Sequence, residues 1–325
     1  MILIMFSVMQ IVSKLGYSRR VLTFMGRRMQ SPRLKQRAFQ GYRPTNHDVF
    51  VCSYVRSGTN WTMQIAYQIA HGGRGDYQHI HDVVPWPEAP MPRIVRLSDE
   101  NTYERAPTGL RVIKTHLESN YVPYSPDARY IVVVRDPKEV FVSSYFFSGF
   151  MLARSTMVPV AEWHDMFLSD VFPHGSWVEH LCSYWSWRSR PNVLILTYGE
   201  MKADLEGAVR RIAGLMGVEL SAEELALVVE KSSFRYMKGI NHKFAPALPF
   251  PLNRLARPVM VRKGERGGAS ELLTREQQVQ IDRYMQADLR RHQCDFPYDE
   301  VFAMVDDPQP SAPTSPVLSH SRAGV

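Results

Sequence analysis

Short apolar runs alternate with stretches of helical spacing through the middle of the chain. Asp48 to Cys52 is apolar and β-branched, the pattern of a buried strand, and Trp61, Ile65, Ile69 and Ala70 follow at helical spacing. Leu110 to His116 predicts a short strand, and Arg129 to Arg135 is the clearest buried strand in the chain. Asp136 and Pro137 then signal a helix start, and an apolar helix runs from about Val140 to Phe150. Residues 160–191 predict two aromatic-rich helices containing Trp163, Trp177, Tyr184, Trp185 and Trp187. Asn192 to Tyr198 predicts another strand, followed by a helix from Gly199 to Met216 that Gly217 closes. Ser221 to Glu224 fits a capping box, and Leu273 to Leu289 a last helix. Residues 73–108 and 239–258 read as loops, and 307–325, rich in Pro and Ser, as disordered. No internal repeat is present.

The turn between the first strand and its helix carries the first chemistry. A helix N-terminus presents unpaired N–H groups and a partial positive charge. Gly58 lets the backbone approach a ligand, Ser57, Thr59 and Asn60 add donors, and Arg56 adds a fixed charge. Together they suit a phosphate or sulfate, although the nucleotidase signature G-x-x-x-x-G-K-[ST] is absent. On the next strand Lys114 and His116 stand two apart, so they face one side at its carboxyl end. Ligands sit at that edge in open α/β sheets, and the pair sets a cation beside a titratable base. Arg135 marks a second strand-to-helix junction, with Ser143 and Ser144 further along the helix. Arg262, Lys263 and Gly264 open a Gly-rich basic run that fits an anion cradle. Trp86, on a loop stiffened by prolines, fits a pocket wall and a core edge equally well.

Three of these elements share one order and spacing. Tyr54-x-Arg-Ser-Gly-Thr-Asn-Trp61, Lys114-Thr-His116 and Val134-Arg-Asp-Pro-Lys-Glu-Val-x-Val-Ser-Ser-Tyr-x-Phe147 span about 90 residues. In that arrangement the chain resembles sulfotransferases that use 3′-phosphoadenosine 5′-phosphosulfate (PAPS). The resemblance covers roughly residues 45–300 and extends to Gly175-Ser-Trp-x-x-His180, Tyr184-Trp185 and the late Arg-Lys-Gly element. It implies a single α/β domain with a central parallel sheet, like the P-loop nucleotide kinases without their Walker lysine. It also implies roles. Arg56, Ser57, Gly58, Thr59 and Asn60 would hold the 5′-phosphosulfate. Trp61, Tyr198, Phe234 and the neighbouring Ser232 would contact the nucleoside. Arg135, Ser143, Arg262, Lys263 and Gly264 would hold the 3′-phosphate. His116 would take the acceptor's proton, Lys114 would stabilise the sulfonyl and bridging oxygens, and Arg56 would complete the catalytic set. Two departures stand out: Arg56 replaces the family's usual Lys, and Gly267-Gly-Ala269 replaces its Gly-Asp-Trp. An Arg binds oxyanions but does not readily donate its proton.

Composition adds bounds. With 325 residues, 45% of them hydrophobic and 22% charged, the chain holds a sizeable core. Its three cysteines, Cys52, Cys182 and Cys294, have no metal-ligand spacing and suggest no disulfide framework, which points to a reducing, cytoplasmic setting without a bound metal. Residues 1–47 hold nine Lys or Arg and no acid, so against a net charge of +7 the remainder stands at −2. A nearly neutral body argues against a nucleic-acid face. The chain divides into a basic, partly apolar arm over 1–44, the main domain over 45–300 and a tail over 301–325. The apolar stretch 1–12 falls short of the about 20 residues that span a bilayer. The arm fits peripheral contact with an anionic membrane, a transit peptide, a disordered segment, or a start site placed too far upstream. The acceptor pocket falls to the 73–108 and 239–258 loops, and Trp86, Phe146, Phe147 and Phe244 suggest a small apolar or lipid-like acceptor. A homodimer is compatible with all of this. Two other readings remain: a nucleotide-dependent kinase of related fold, and a non-catalytic nucleotide-binding protein at a membrane surface.

Overall fold

The computed structural model describes residues 17–89, 94–151, 158–245, 260–262 and 268–304. Strands β1 (Asp48–Ser53), β2 (Arg111–Thr115), β3 (Arg129–Val134) and β4 (Val193–Thr197) form one sheet in the order β2-β1-β3-β4. Every pairing is parallel, with Cys52 opposite Thr115 on one side and Val132 on the other. The expected single α/β domain with a central parallel sheet is what the chain builds.

Successive strand residues point to opposite faces, and both faces are covered. Phe50, Cys52, Tyr130, Val132 and Val134 enter one core; Val49, Val51, Ile131 and Val133 enter the other. Helices flank the sheet. In chain order they are α1 (Ser18–Met29), α2 (Pro32–Arg37), α3 (Thr59–Ala70), α4 (Pro137–Met151), α5 (Val160–Phe167), α6 (Trp177–Trp185), α7 (Tyr198–Ala203), α8 (Leu205–Met216), α9 (Ala222–Ser232) and α10 (Arg275–Arg291). Helices α3, α8 and α9 cover the second core; α4, α5, α6 and α10 cover the first. All strands therefore end at one edge, and the β1–α3 and β3–α4 turns meet there.

Some elements differ from the sequence expectations. The helix expected over 199–216 is two, because Asp204 leaves the helix and accepts a hydrogen bond from Gly207 N–H at 2.8 Å. The sequence pattern assigns no element between α9 and residue 239; there Phe234–Gly239 forms a further short helix, capped by Ser233. The basic arm also differs from a loose tail over residues 18–42. Leu22 and Phe39 are buried in the first core, each burial contributing about 1.5–3 kcal/mol. Lys35 reaches Glu118 at 2.6 Å, with both side chains largely buried. Residues 1–16 and 305–325, with the apolar start and most of the tail, lie outside the described residues. Cys182 and Cys294, distant in sequence, both pack against the first core, and all three thiols are free. Among the described residues no helix is long and apolar enough to cross a membrane.

Candidate active site

The β1–α3 turn is built open. Gly58 N-caps the helix at φ +102, with no side chain capping it. A Cβ on Gly58 would lie 2.7 Å from Tyr198 Cδ2, so only glycine fits both the conformation and the space. The first bond of this helix runs from Thr62 N–H to Gly58 C=O at 3.0 Å, which leaves the N–H groups of Thr59, Asn60 and Trp61 turned outward. Ser57 is fully buried and its Oγ makes no hydrogen bond. A buried hydroxyl without a partner is costly, and an oxyanion seated on the turn would satisfy it. Thr59 differs: its hydroxyl is already bonded to Ser53 Oγ at 2.6 Å. The donor set therefore fits a phosphosulfate on the turn's backbone and on Ser57.

Arg56 sits in the left-handed region at φ +68, a conformation costing about 1–2 kcal/mol for a residue with a Cβ. Arg135 offsets that strain by donating one Nη to Arg56 C=O at 3.0 Å. The Arg56 side chain donates its Nε to Ser143 Oγ at 3.1 Å and reaches Met260 C=O at 3.5 Å. Three guanidiniums thus converge. Burial, then the charges of Arg135 and Arg262, push Arg56 down to about 10, so it stays charged at neutral pH but unfavourably so. Glu139 holds Arg135 Nε at 2.9 Å and Glu271 holds Arg262, yet neither carboxylate faces Arg56 in an ion pair among the described residues. Such a cluster asks for an anion.

Tyr198 packs edge-on against Trp61 and lies under the Arg135 guanidinium at 4.4 Å. Trp61 Nε1–H donates to Ser232 C=O at 2.6 Å, and the buried Ser232 Oγ has no partner. Phe234, two residues after Ser232, is 42% exposed. The turn, Tyr198, Ser143, Ser232, Arg135 and Arg262 therefore lie at one edge. Lys263 and Gly264 fall outside the described residues.

At the end of β2 the expected pair comes together around Trp86. The Lys114 ammonium sits 3.4 Å from the centre of the indole, and His116 meets the same ring edge-on at 5.5 Å. His116 Nδ1 lies 2.7 Å from Ser53 C=O, an acceptor only, so Nδ1 carries the proton and Nε2 keeps its lone pair. Burial, then the Lys114 charge, holds His116 well below the usual imidazole range; it is neutral at pH 7. Burial also pushes Lys114 down to about 7, with Glu88 opposing and Arg56 reinforcing the shift. Of the two readings of Trp86, the wall of the site is the one the geometry supports.

Glu88 was not anticipated as a site residue. It accepts a hydrogen bond from His116 N–H at 2.6 Å, and burial raises its pKa. No spacing in the sequence links it to a strand end 28 residues away. His174, half-buried beside Arg56 and lowered to about 4 by burial and then by that charge, was also missed. The aromatic expectations need correction. Phe147 and Phe146 lie under the guanidiniums of Arg56 and Arg262, at 4.8 and 4.5 Å, so they support the cations. Phe244 is core, 4% exposed and packed on Tyr77. The two expected pocket loops do touch, through His79 Nε2 and Ala245 C=O at 2.8 Å; residues 246–259 lie outside the described residues.

Comparison with known proteins shows the family and the fold. A family model described as the sulfotransferase domain matches residues 46–293. Sulfotransferase 2A6 of Rattus norvegicus is 32% identical over 197 residues, 60% of this chain and 68% of the relative. A 3-beta-hydroxysteroid sulfotransferase of Cavia porcellus is 27% identical over 274 residues, 83% and 93% of the two chains. Among solved structures, a mouse sulfotransferase complexed with PAP superposes with TM-score 0.60 at 24% identity, covering 81% of this chain and 91% of that one. Retinol dehydratase in complex with androsterone and PAP superposes with TM-score 0.63 at 22% identity, covering 82% and 88%. The matched span takes in the turn, the β2 end and the guanidinium cluster together, and the chain belongs to the sulfotransferase domain family.

Proposed function

We propose that the protein transfers the sulfonyl group of PAPS to the hydroxyl of a small apolar alcohol. The observation that carries this is the pairing, at one sheet edge, of outward N–H donors and converging guanidiniums with a neutral histidine whose Nε2 keeps its lone pair to act as a base. PAPS supplies a sulfonyl group on a phosphate leaving group. The chain's own residues supply the rest. Thr59, Asn60 and Trp61 N–H groups with Ser57 Oγ hold the 5′-phosphate, and Arg56 binds its oxygens. Arg135, Ser143 and Arg262, with Lys263 and Gly264, hold the 3′-phosphate. Trp61, Tyr198, Ser232 and Phe234 flank the base. His116 Nε2 takes the acceptor's hydroxyl proton while Ser53 C=O fixes the tautomer. Protonated Lys114 stabilises the charge that grows as the bond to the phosphate breaks.

Arg56, with Nε committed to Ser143, serves as a fixed charge; proton delivery to the leaving oxygen falls to Lys114. An apolar acceptor is supported by Trp86 beside His116 and by hydroxysteroid sulfotransferases among the relatives. The test is transfer of label from radioactive PAPS to a panel of hydroxysteroids, isoprenoid alcohols, phenols and sugars, with EDTA present. Labelled product from the apolar hydroxyls is expected. Absence of transfer to every member, with no binding of PAP (3′-phosphoadenosine 5′-phosphate, the desulfated product), defeats the reading.

A further inference from the structure

The outer face of α1 belongs neither to the core nor to the site. Ser18, Leu22 and Gly26, spaced four apart, face inward. Gly26 marks the contact: a Cβ there would lie 2.5 Å from Pro173 Cα. The opposite side carries Phe24, 68% exposed. Arg20 and Arg28 stand four residues before and after it and Arg27 three after, so Phe24 rises from a ring of guanidiniums. Tyr17, Met29 and Leu34 are exposed as well. Four of the seven large apolar side chains exposed among the described residues thus lie within residues 17–34. Residues 17–37 bear the exposed cations Arg19, Arg20, Arg27, Arg28, Arg33 and Arg37, with no acid from residue 1 to 47. None of these six forms an ion pair among the described residues, whereas Lys35 turns inward to Glu118.

Arginines alone would suit any polyanion, and exposed Phe, Met and Leu alone would suit any apolar groove. Both together, interleaved on one face, match a surface with phosphates outside and hydrocarbon beneath. We propose that α1 and α2 form a docking face for an anionic phospholipid bilayer. The face has a fixed relation to the sheet. Gln30, just past α1, packs against Gly175, since a Cβ on that glycine would meet its side chain at 2.8 Å. Gly175 C=O accepts the Tyr54 hydroxyl at 2.8 Å, and Tyr54 opens the anion-binding turn. The turn from Pro173 to Gly175 thus connects the face, through Gly26 and Gln30, to Tyr54 at the start of the site. Given the function proposed above, an acceptor dissolved in the bilayer would be delivered near the edge where His116 stands. The docking itself does not depend on that function.

Flotation of the full chain with phosphatidylcholine vesicles, with and without about 30% phosphatidylserine, tests the proposal. Binding is expected to need the anionic lipid and to weaken with salt. The double variant Arg27→Gln, Arg28→Gln removes two cations and is expected to lower partitioning about 25-fold. Phe24→Ser is expected to lower it about tenfold at every salt concentration. All three side chains are exposed, so helix content by circular dichroism and PAP affinity should match the parent; a drop in PAP affinity alone would bear on the catalytic reading instead. Unchanged partitioning in both variants overturns the proposal. So does a dimer by light scattering that Phe24→Ser dissolves, or binding to a DNA oligomer as tight as to the vesicles and indifferent to Phe24→Ser.

Discussion

At the N-terminal end of the sheet Arg111 is buried and fully matched. Its Nε donates to Asp48 at 2.7 Å, one Nη to Leu97 C=O at 2.6 Å and the other to the Tyr42 hydroxyl at 2.8 Å. Burial works against its charge, but Asp48 more than offsets this and its pKa is raised. At the C-terminal end Arg56 is half-buried, bonded to a hydroxyl and a carbonyl, in strained backbone, and its pKa is pushed down to about 10. The same side chain meets opposite fates on one sheet. A structural arginine comes with its counter-ion inside the fold; at the other end Arg135 and Arg262 pair with carboxylates, but Arg56 has no carboxylate partner among the described residues and the buried Ser57 hydroxyl has no hydrogen bond. The second arrangement costs stability unless a ligand completes it.

The largest effect expected is on turnover. His116→Ala should lower kcat about 10²–10⁴-fold while PAP affinity, read by calorimetry, changes little. Full turnover in that variant would make His116 structural and move the base elsewhere. Next come the two arginines. Arg111→Met leaves the Asp48 carboxylate buried without its cation and should cost about 3–5 kcal/mol in urea unfolding. PAP affinity of the folded molecules should be unchanged. Arg56→Gly should do the reverse. It removes backbone strain and like-charge repulsion, so the urea midpoint should hold or rise, while PAP affinity falls about 10–100-fold. If Arg56→Gly destabilises the protein as Arg111→Met does, the contrast between the two ends fails.

A smaller effect is a proton. Lys114 is pushed down to about 7, so at pH 8 the free site holds it mostly neutral. Phosphates bound nearby favour the charged form and raise that pKa. PAP binding at pH 8 should therefore take up a proton, and the uptake should vanish at pH 6, where Lys114 is already charged. Binding enthalpies in buffers of different ionisation enthalpy read this directly. No dependence on buffer at pH 8 would place Lys114 out of reach of the phosphates.

The strands and the three strand-end motifs were legible in the sequence because each rests on local pattern: a β-branched run, a turn with Gly58, a Lys and His two apart. What could not be read were partners distant in sequence. Glu88 reaches His116 through an irregular loop without periodicity, and Cys182 and Cys294 reach one core only once α6 and α10 pack. The basic arm shows the same limit. Its composition resembles a tail, but Leu22, Phe39 and the Lys35–Glu118 pair tie residues 18–42 to the domain. Phe146, Phe147 and Phe244 read as pocket residues because an aromatic side chain does not itself say whether it faces a ligand, a guanidinium or the core.

We propose, as the central claim, two separate anion sites for one nucleotide at the C-terminal edge. Titration of PAP and of AMP into the protein under one set of conditions tests it most directly. PAP should bind far more tightly than AMP, and Arg262→Gln should narrow the gap by weakening PAP alone. Equal affinity for PAP and AMP would contradict the account.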